Sequence, residues 1–275
     1  KQLISYNIAQ FYNNASEETR LEKGMGIFEF DRIKSLIEKH ITPQPSTILD
    51  IGGGTGKYSE WLAQKGHQVH LVEPVLKHLH IAKNRASKLK NNFFVHLGEA
   101  RKLDFPSHFA DLVILHGPLY HLQSEEDRLL AIAEAKRVLK KNGVILGFAI
   151  SYTASTLVGL LNGLIHKTKF FTMCISELKT GLHNPPEELP WLLAEAFYHR
   201  PEQLKEEFTS QNLTCLNMYA VEGMAWLDRD YFSNMQHNKT RNTLLELVQA
   251  TENDPYLLPF SPHIMIAAQK NSYGK

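Results

Sequence analysis

The spacing of apolar residues changes character along the chain, and the changes predict its elements. Over residues 4–40 the apolar positions recur three and four apart. Ile8, Phe11 and Tyr12 share one helical face, and Phe28, Ile33, Leu36 and Ile37 share another. Pro43 and Pro45 interrupt that period. From there short apolar runs alternate with helical patterns. Strands are predicted over 47–52, 68–73, 93–97, 111–116 and 144–150, and helices over 57–65, 76–90 and 125–139. The runs Leu112-Val113-Ile114-Leu115 and Val144 to Ile150 are continuously apolar, as in parallel strands covered by helices on both faces. Asn142-Gly143 predicts a turn into the fifth strand.

After residue 150 the rhythm breaks. Residues 151–200 hold apolar helical pieces and a proline-rich stretch from Asn184 to Pro190. Pro201 opens a helix in its first turn. Strands over 213–221 and 263–269 then finish the sheet as an antiparallel pair, with a second insertion, 223–260, between them. These elements describe an α/β fold: a three-layer, doubly wound, mostly parallel sheet of seven strands with helical lid insertions. One domain spans 1–275, with a helical cover (1–44), a core (45–150), lid segments (151–200 and 223–260), and a closing helix and strands (201–222 and 261–270).

Composition narrows the possibilities. Apolar content of 43% and charged content of 21% are those of a globular protein. A formal charge of +1 gives no general electrostatic reason to bind nucleic acid. Cys174 and Cys215 match no metal-ligand spacing and suit a reducing, cytoplasmic setting. No leader peptide is expected, and the most apolar stretch, Thr156 to Ile165, is too short to span a membrane. No H-E-x-x-H pair occurs among the 14 histidines, so no metal site is expected.

The chemistry begins at Asp50-Ile-Gly52-Gly53-Gly54-Thr-Gly56, with Asp50 inside the first strand and the glycines at its end. A dinucleotide fingerprint needs a third small residue where Lys57 stands. A phosphate-binding P-loop needs glycine where Ile51 stands and serine or threonine where Tyr58 stands. Neither fits. What remains is a glycine turn at a strand end, followed by a strand closing on a single acid, Glu73-Pro74. A carboxylate there is placed to accept both hydroxyls of a ribose.

This D-x-G-x-G-x-G pattern resembles motif I of class I S-adenosylmethionine (SAM) dependent methyltransferases. Further segments are similar to the same superfamily in the same order, over roughly residues 45–150. Val95-His-Leu-Gly-Glu99-Ala100 resembles the adenine-recognition segment. Asp111 to Leu122, containing His116-Gly-Pro-Leu-Tyr120-His121, resembles the fourth strand and the loop between cofactor and acceptor. Arg137 to Gly143 resembles the approach to the fifth strand. A narrower resemblance, carried by Glu17 to Glu22, Val72 to Val75, Gly181-Leu-His183-Asn-Pro, Ala196-Phe-Tyr-His199-Arg-Pro and Val221-Glu222-Gly223, points to a group of mostly uncharacterised bacterial small-molecule methyltransferases of the type 11/25-like kind.

The resemblance implies SAM as cofactor and S-adenosylhomocysteine as product. Its expected contacts are Tyr12, Arg20, Asp50, Gly52, Gly53, Gly54, Gly56, Glu73, Pro74, Glu99, Ala100 and His116. Arg20 is suited to the SAM carboxylate, or equally to a pair with Glu17. Tyr120, His121, His183, His199 and Glu222 fall to the acceptor side. His121, then His199 and His183, are the candidate catalytic groups, because histidine titrates near neutrality; packed histidines would look the same. The expected reaction is methyl transfer to O, N or S of a small molecule. The alternatives are an RNA- or protein-modifying enzyme and a non-catalytic SAM-binding sensor module. A homodimer is compatible with the sequence.

Overall fold

Five parallel strands carry the fold: β1 (Thr47–Ile51), β2 (Gln68–Glu73), β3 (Phe94–Leu97), β4 (Ala110–Leu115) and β5 (Leu139–Ser151), in the order β3-β2-β1-β4-β5. The computed structural model describes residues 3–15, 17–22, 24–42 and 44–271, so the expected break at Pro43 lies outside the described residues. Side chains alternate between two cores. In β4, Leu112 and Ile114 join helices Met25–Glu38, Lys57–Gln64 and Leu76–Ser87 on one face. Val113 and Leu115 join helices Glu125–Val138 and Pro201–Ser210 on the other. Burial on both faces is why these strands read as unbroken apolar runs.

The rest of the chain completes and extends this platform. β6 (Leu182–His183), β7 (Ala196–His199), β8 (Leu213–Ala220) and β9 (His263–Lys270) follow. β9 runs antiparallel to β5, and β8 antiparallel to β9, as the sequence predicts. Among the described residues the sheet nevertheless has nine strands rather than seven. β7 pairs in parallel with only Ile150 and Ser151 of β5, and β6 adds antiparallel to β7. Two- and four-residue strands are too short to leave a period in the sequence. Asn142-Gly143 also differs from expectation. It lies inside β5, with Asn142 at φ 62°, beside a register shift against β4. The turn chemistry there makes a kink within a strand, and no loop.

The N-terminal region forms helices Tyr6–Asn14, Glu17–Arg20 and Met25–Glu38. The third is anchored by Arg32, fully buried, which donates from Nε to Val221 O (2.8 Å) and from Nη2 to Glu252 (2.7 Å). It also packs Phe28 against Trp226, Tyr231 and Val248 of the second insertion. Among the described residues, no helix is long and apolar enough to cross a membrane. The sheet order reverses at β1, between β2 and β4, and that opens a crevice at the carboxyl ends of these strands.

Candidate active site

The crevice is a cavity of about 550 Å³. Its floor is the glycine loop. Gly52, Gly54 and Gly56 have φ of 76°, 57° and 82°, a left-handed conformation that side chains disfavour. Gly52 is doubly constrained, because a Cβ there would lie 2.5 Å from His116 O. Gly54 faces open space, and Gly56 packs under Phe93 outside the cavity lining. Gly53 sits over Asp50, whose Oδ2 would be 2.5 Å from an added Cβ.

Asp50 itself lies behind the loop and does not line the cavity. It is fully buried, accepts from Ser59 Oγ at 2.6 Å, and keeps Oδ1 without a partner. Burial pushes its carboxyl up to about 6. The Glu73 charge adds to that rise and the Ser59 bond opposes it.

Glu73, at the end of β2, does line the cavity. Its Oε2 accepts from Gly54 N and its Oε1 from Val75 N, both at 2.9 Å. The carboxylate is therefore aimed before any ligand arrives, and each oxygen retains a further lone-pair direction. Pro74, Glu99 and Ala100 continue this wall. Glu99 Oε2 accepts from both the backbone N and Nε of Arg101 at 2.9 Å, and Arg101 reaches Asp127 at 3.0 Å.

The roof is the helix Tyr6–Asn14. Lys77 Nζ donates to Asn13 O (2.8 Å) and Ala15 O (2.9 Å), satisfying carbonyls at its carboxyl end. At the other end Ser5 and Asn7 each donate to Glu195, at 2.7 Å. Tyr12 hangs from this helix between His78 and His121, with ring centroids at 5.0 and 5.3 Å, and its hydroxyl is 2.6 Å from His121 Nε2. Burial pushes the His121 imidazole down to about 3, so it is neutral, and its Nδ1 is buried without a partner. Tyr120 stands beside it, ring centroids 4.7 Å apart. His78 Nε2 is a second orphan in this wall.

Arg20 lines the cavity but is already engaged. Its Nε donates to Glu17 (2.6 Å), and Nη1 and Nη2 grip Glu29 (2.6 and 2.9 Å). The Glu17 pair is formed, and Arg20 also faces the cavity, with two carboxylates already sharing its charge. His116 contributes at the floor, while its imidazole stacks on Phe148 at 4.7 Å and is pushed down to about 3 by burial.

Three expected acceptor residues lie elsewhere. His183 is buried between Glu177 (Nδ1 to Oε1, 2.6 Å) and Leu193 O (Nε2, 3.0 Å), stacked on Tyr198. His199 is fully buried and bonds Glu207 (3.2 Å), which also receives Arg128 at 2.7 Å. Glu222 is held by His263 and Ser261. None of the three lines the cavity. Each was polar in an apolar context and meets a buried polar group there, although His199 keeps Nδ1 without a partner among the described residues. Conversely, Glu195, Arg101, Asp127 and Gln123 line the cavity unforeseen. Only Arg101 carried a local signal, its adjacency to Glu99-Ala100.

Known proteins agree with this architecture. Residues 49–147 match a methyltransferase domain family. The chain is 28% identical over 116 residues to an uncharacterized methyltransferase of Bacillus cytotoxicus, covering 42% of this chain and 52% of that one. It is 28% identical over 117 residues to a putative methyltransferase of Bacillus subtilis, covering 42% and 47%. It thus spans about half the length of these curated relatives. A SAM-dependent methyltransferase structure from Methanosarcina mazei superposes with a TM-score of 0.60 at 17% identity, over 86% of this chain and 97% of that one. A Pyrococcus horikoshii protein gives 0.62 at 16%, over 95% and 99%. At such identities the structures speak for the fold, and the domain match speaks for the core. Residues 49–147 are thus similar in sequence to a methyltransferase domain, and the chain as a whole has the fold of SAM-dependent methyltransferases.

Proposed function

We propose that this chain transfers a methyl group from SAM to an O, N or S atom of a small-molecule acceptor by direct displacement. The observation that carries the reading is Glu73, a carboxylate oriented by two backbone amides at 2.9 Å and facing a cavity floored by glycines. It fits a ribose diol, with Gly52 to Gly54 and the backbone at His116 beside the methionine portion, and with Glu99 and Ala100 at the adenine. The open space over Gly54 and the orphan His78 Nε2 and His121 Nδ1 are further room and polar valence for a ligand.

SAM supplies a methyl group already activated on a positively charged sulfur, so the residues mainly align and enclose. Tyr12 and the helix carrying it exclude water from above. Tyr120 and His121 face the acceptor. A neutral imidazole of such low basicity is a poor store for a proton, so His121 orients the acceptor through Nδ1 and Tyr12 fixes its ring through Nε2. The small-molecule reading is supported by the cavity's size, which falls in the usual range for ligand pockets, and by its roof.

The test is transfer of labelled methyl from SAM, with a deproteinised small-molecule extract and bulk tRNA offered together. Label in the small-molecule fraction is expected. Label in RNA would replace the acceptor class, and SAM binding with no transfer to either would leave a sensor module.

A further inference from the structure

Behind the cavity wall, a second group of polar side chains is buried where helix Met25–Glu38 meets the end of β8 and the start of β9. Glu29, Glu222 and His263 each offer one ligand atom, and these atoms all lie within 4.8 Å of one another. Glu29 and Glu222 are 3% and 1% exposed. Burying two carboxylates side by side is costly unless positive charge or hydrogen bonds meet them, and here Arg20 meets Glu29 and His263 meets Glu222. Two tyrosines add an independent sign. The hydroxyls of Tyr58 and Tyr231 are buried, and neither has a hydrogen-bond partner among the described residues; burial first, then the nearby Glu29 and Glu222 carboxylates, holds both phenols above their ordinary range. Buried hydroxyls without partners are rare, and each asks for an occupant.

We infer that Glu29, Glu222 and His263 form a binding site for one divalent transition-metal ion, with Tyr58 and Tyr231 beside it. Two carboxylates and an imidazole suit Mn²⁺, Co²⁺ or Zn²⁺. The cavity lining stops at Tyr58, Arg20 and His116, so this inner group takes an ion and not an organic ligand. Existing bonds leave room for it. Each Glu29 oxygen accepts once from Arg20 and keeps a lone pair, and the ion takes the place of the proton between His263 Nδ1 and Glu222 Oε1, which lie 2.7 Å apart. Arg20 then becomes an outer partner that orients Glu29. The ion replaces one imidazole proton, which leaves to solvent past the partly exposed His263 ring. Charge balances: with His263 neutral, Glu17, Glu29 and Glu222 bring three negative charges against one from Arg20, and a divalent ion cancels the remainder.

The experiment uses the chelator-treated full chain, titrated calorimetrically with Mn²⁺, Co²⁺ and Zn²⁺ separately, without SAM or acceptor. Its failure is therefore distinct from any failure of methyl transfer. At least one ion should bind at one per chain, and Glu29→Gln and Glu222→Gln should each weaken it by at least about tenfold. Glu188→Gln, on the exposed insertion, should not. A variant that does not fold is replaced by His263→Gln, and Co²⁺ loaded into the unaltered chain should show ligand-field bands of a nitrogen- and oxygen-ligated site. Absence of stoichiometric binding for all three ions, or binding unchanged by the folded variants, overturns the inference.

Discussion

The wall of the cavity formed by Gly52 to Gly54 and Glu73 is made largely of backbone: amides, glycine turns, and one carboxylate they orient. The opposite wall is made of side chains, Tyr12, Tyr120 and His121, from a helix and a turn far apart in sequence. The first wall is fixed by the parallel strands beneath it and needs few residue types in a strict order. The second depends on how the N-terminal helix is pinned by Lys77 and Glu195, and many sequences could satisfy it. A fold can therefore keep its cofactor end while its acceptor end varies. His183 and His199 line neither wall and bond Glu177 and Glu207 within the frame.

The sharpest way to break this division is to remove a brace. Glu207→Ala would leave Arg128, 1% exposed, without its carboxylate. The expected loss is about 3–5 kcal/mol of stability, read by urea unfolding, with SAM affinity of the folded protein unchanged. A selective loss of SAM binding at unaltered stability would put His199 and Glu207 in the site after all.

The cofactor wall has its own internal strain, in Asp50. Its carboxyl is raised to about 6 in the folded protein by burial, against about 3.9 in the unfolded chain. The folded state thus holds the proton more tightly. Stability is higher below the unfolded value and falls as pH rises through about 4 to 6, by roughly 3 kcal/mol, then levels. Asp50→Asn should flatten that part of the profile. An unaltered slope in the variant would assign the pH dependence to other groups.

The smallest effect belongs to the acceptor wall. Tyr12→Phe removes the hydroxyl that holds His121 Nε2 and should slow turnover about tenfold, a loss of about 1.4 kcal/mol, while SAM affinity changes little. Loss of SAM binding with turnover intact at saturation would return Tyr12 to the cofactor side, where the sequence placed it.

The same contrast explains what could be read from the chain. Gly52 to Gly54, Glu73, Glu99 and Ala100 are legible as cavity lining because their geometry follows from local turns at strand ends, and the strands from unbroken apolar runs. β6 and β7 are not, since a two-residue and a four-residue strand leave no period. Glu195 is equally silent: it sits in an irregular segment and meets Ser5 and Asn7 only after the chain has closed on itself. His183 and His199 look functional in sequence because their partners, Glu177 and Glu207, are recognisable as partners only once the helices carrying them are packed. Polar residues in apolar surroundings announce burial; whether that burial serves a ligand or the frame is settled by three-dimensional neighbours.

The most direct test of the account is calorimetric titration of the purified chain with SAM, S-adenosylhomocysteine and NAD, repeated with Glu73→Ala. The account predicts micromolar binding of both sulfur compounds, none of NAD, and a loss of about 2 kcal/mol or more when the Glu73 carboxylate is removed. Binding of NAD alone, or SAM binding indifferent to Glu73, would contradict it.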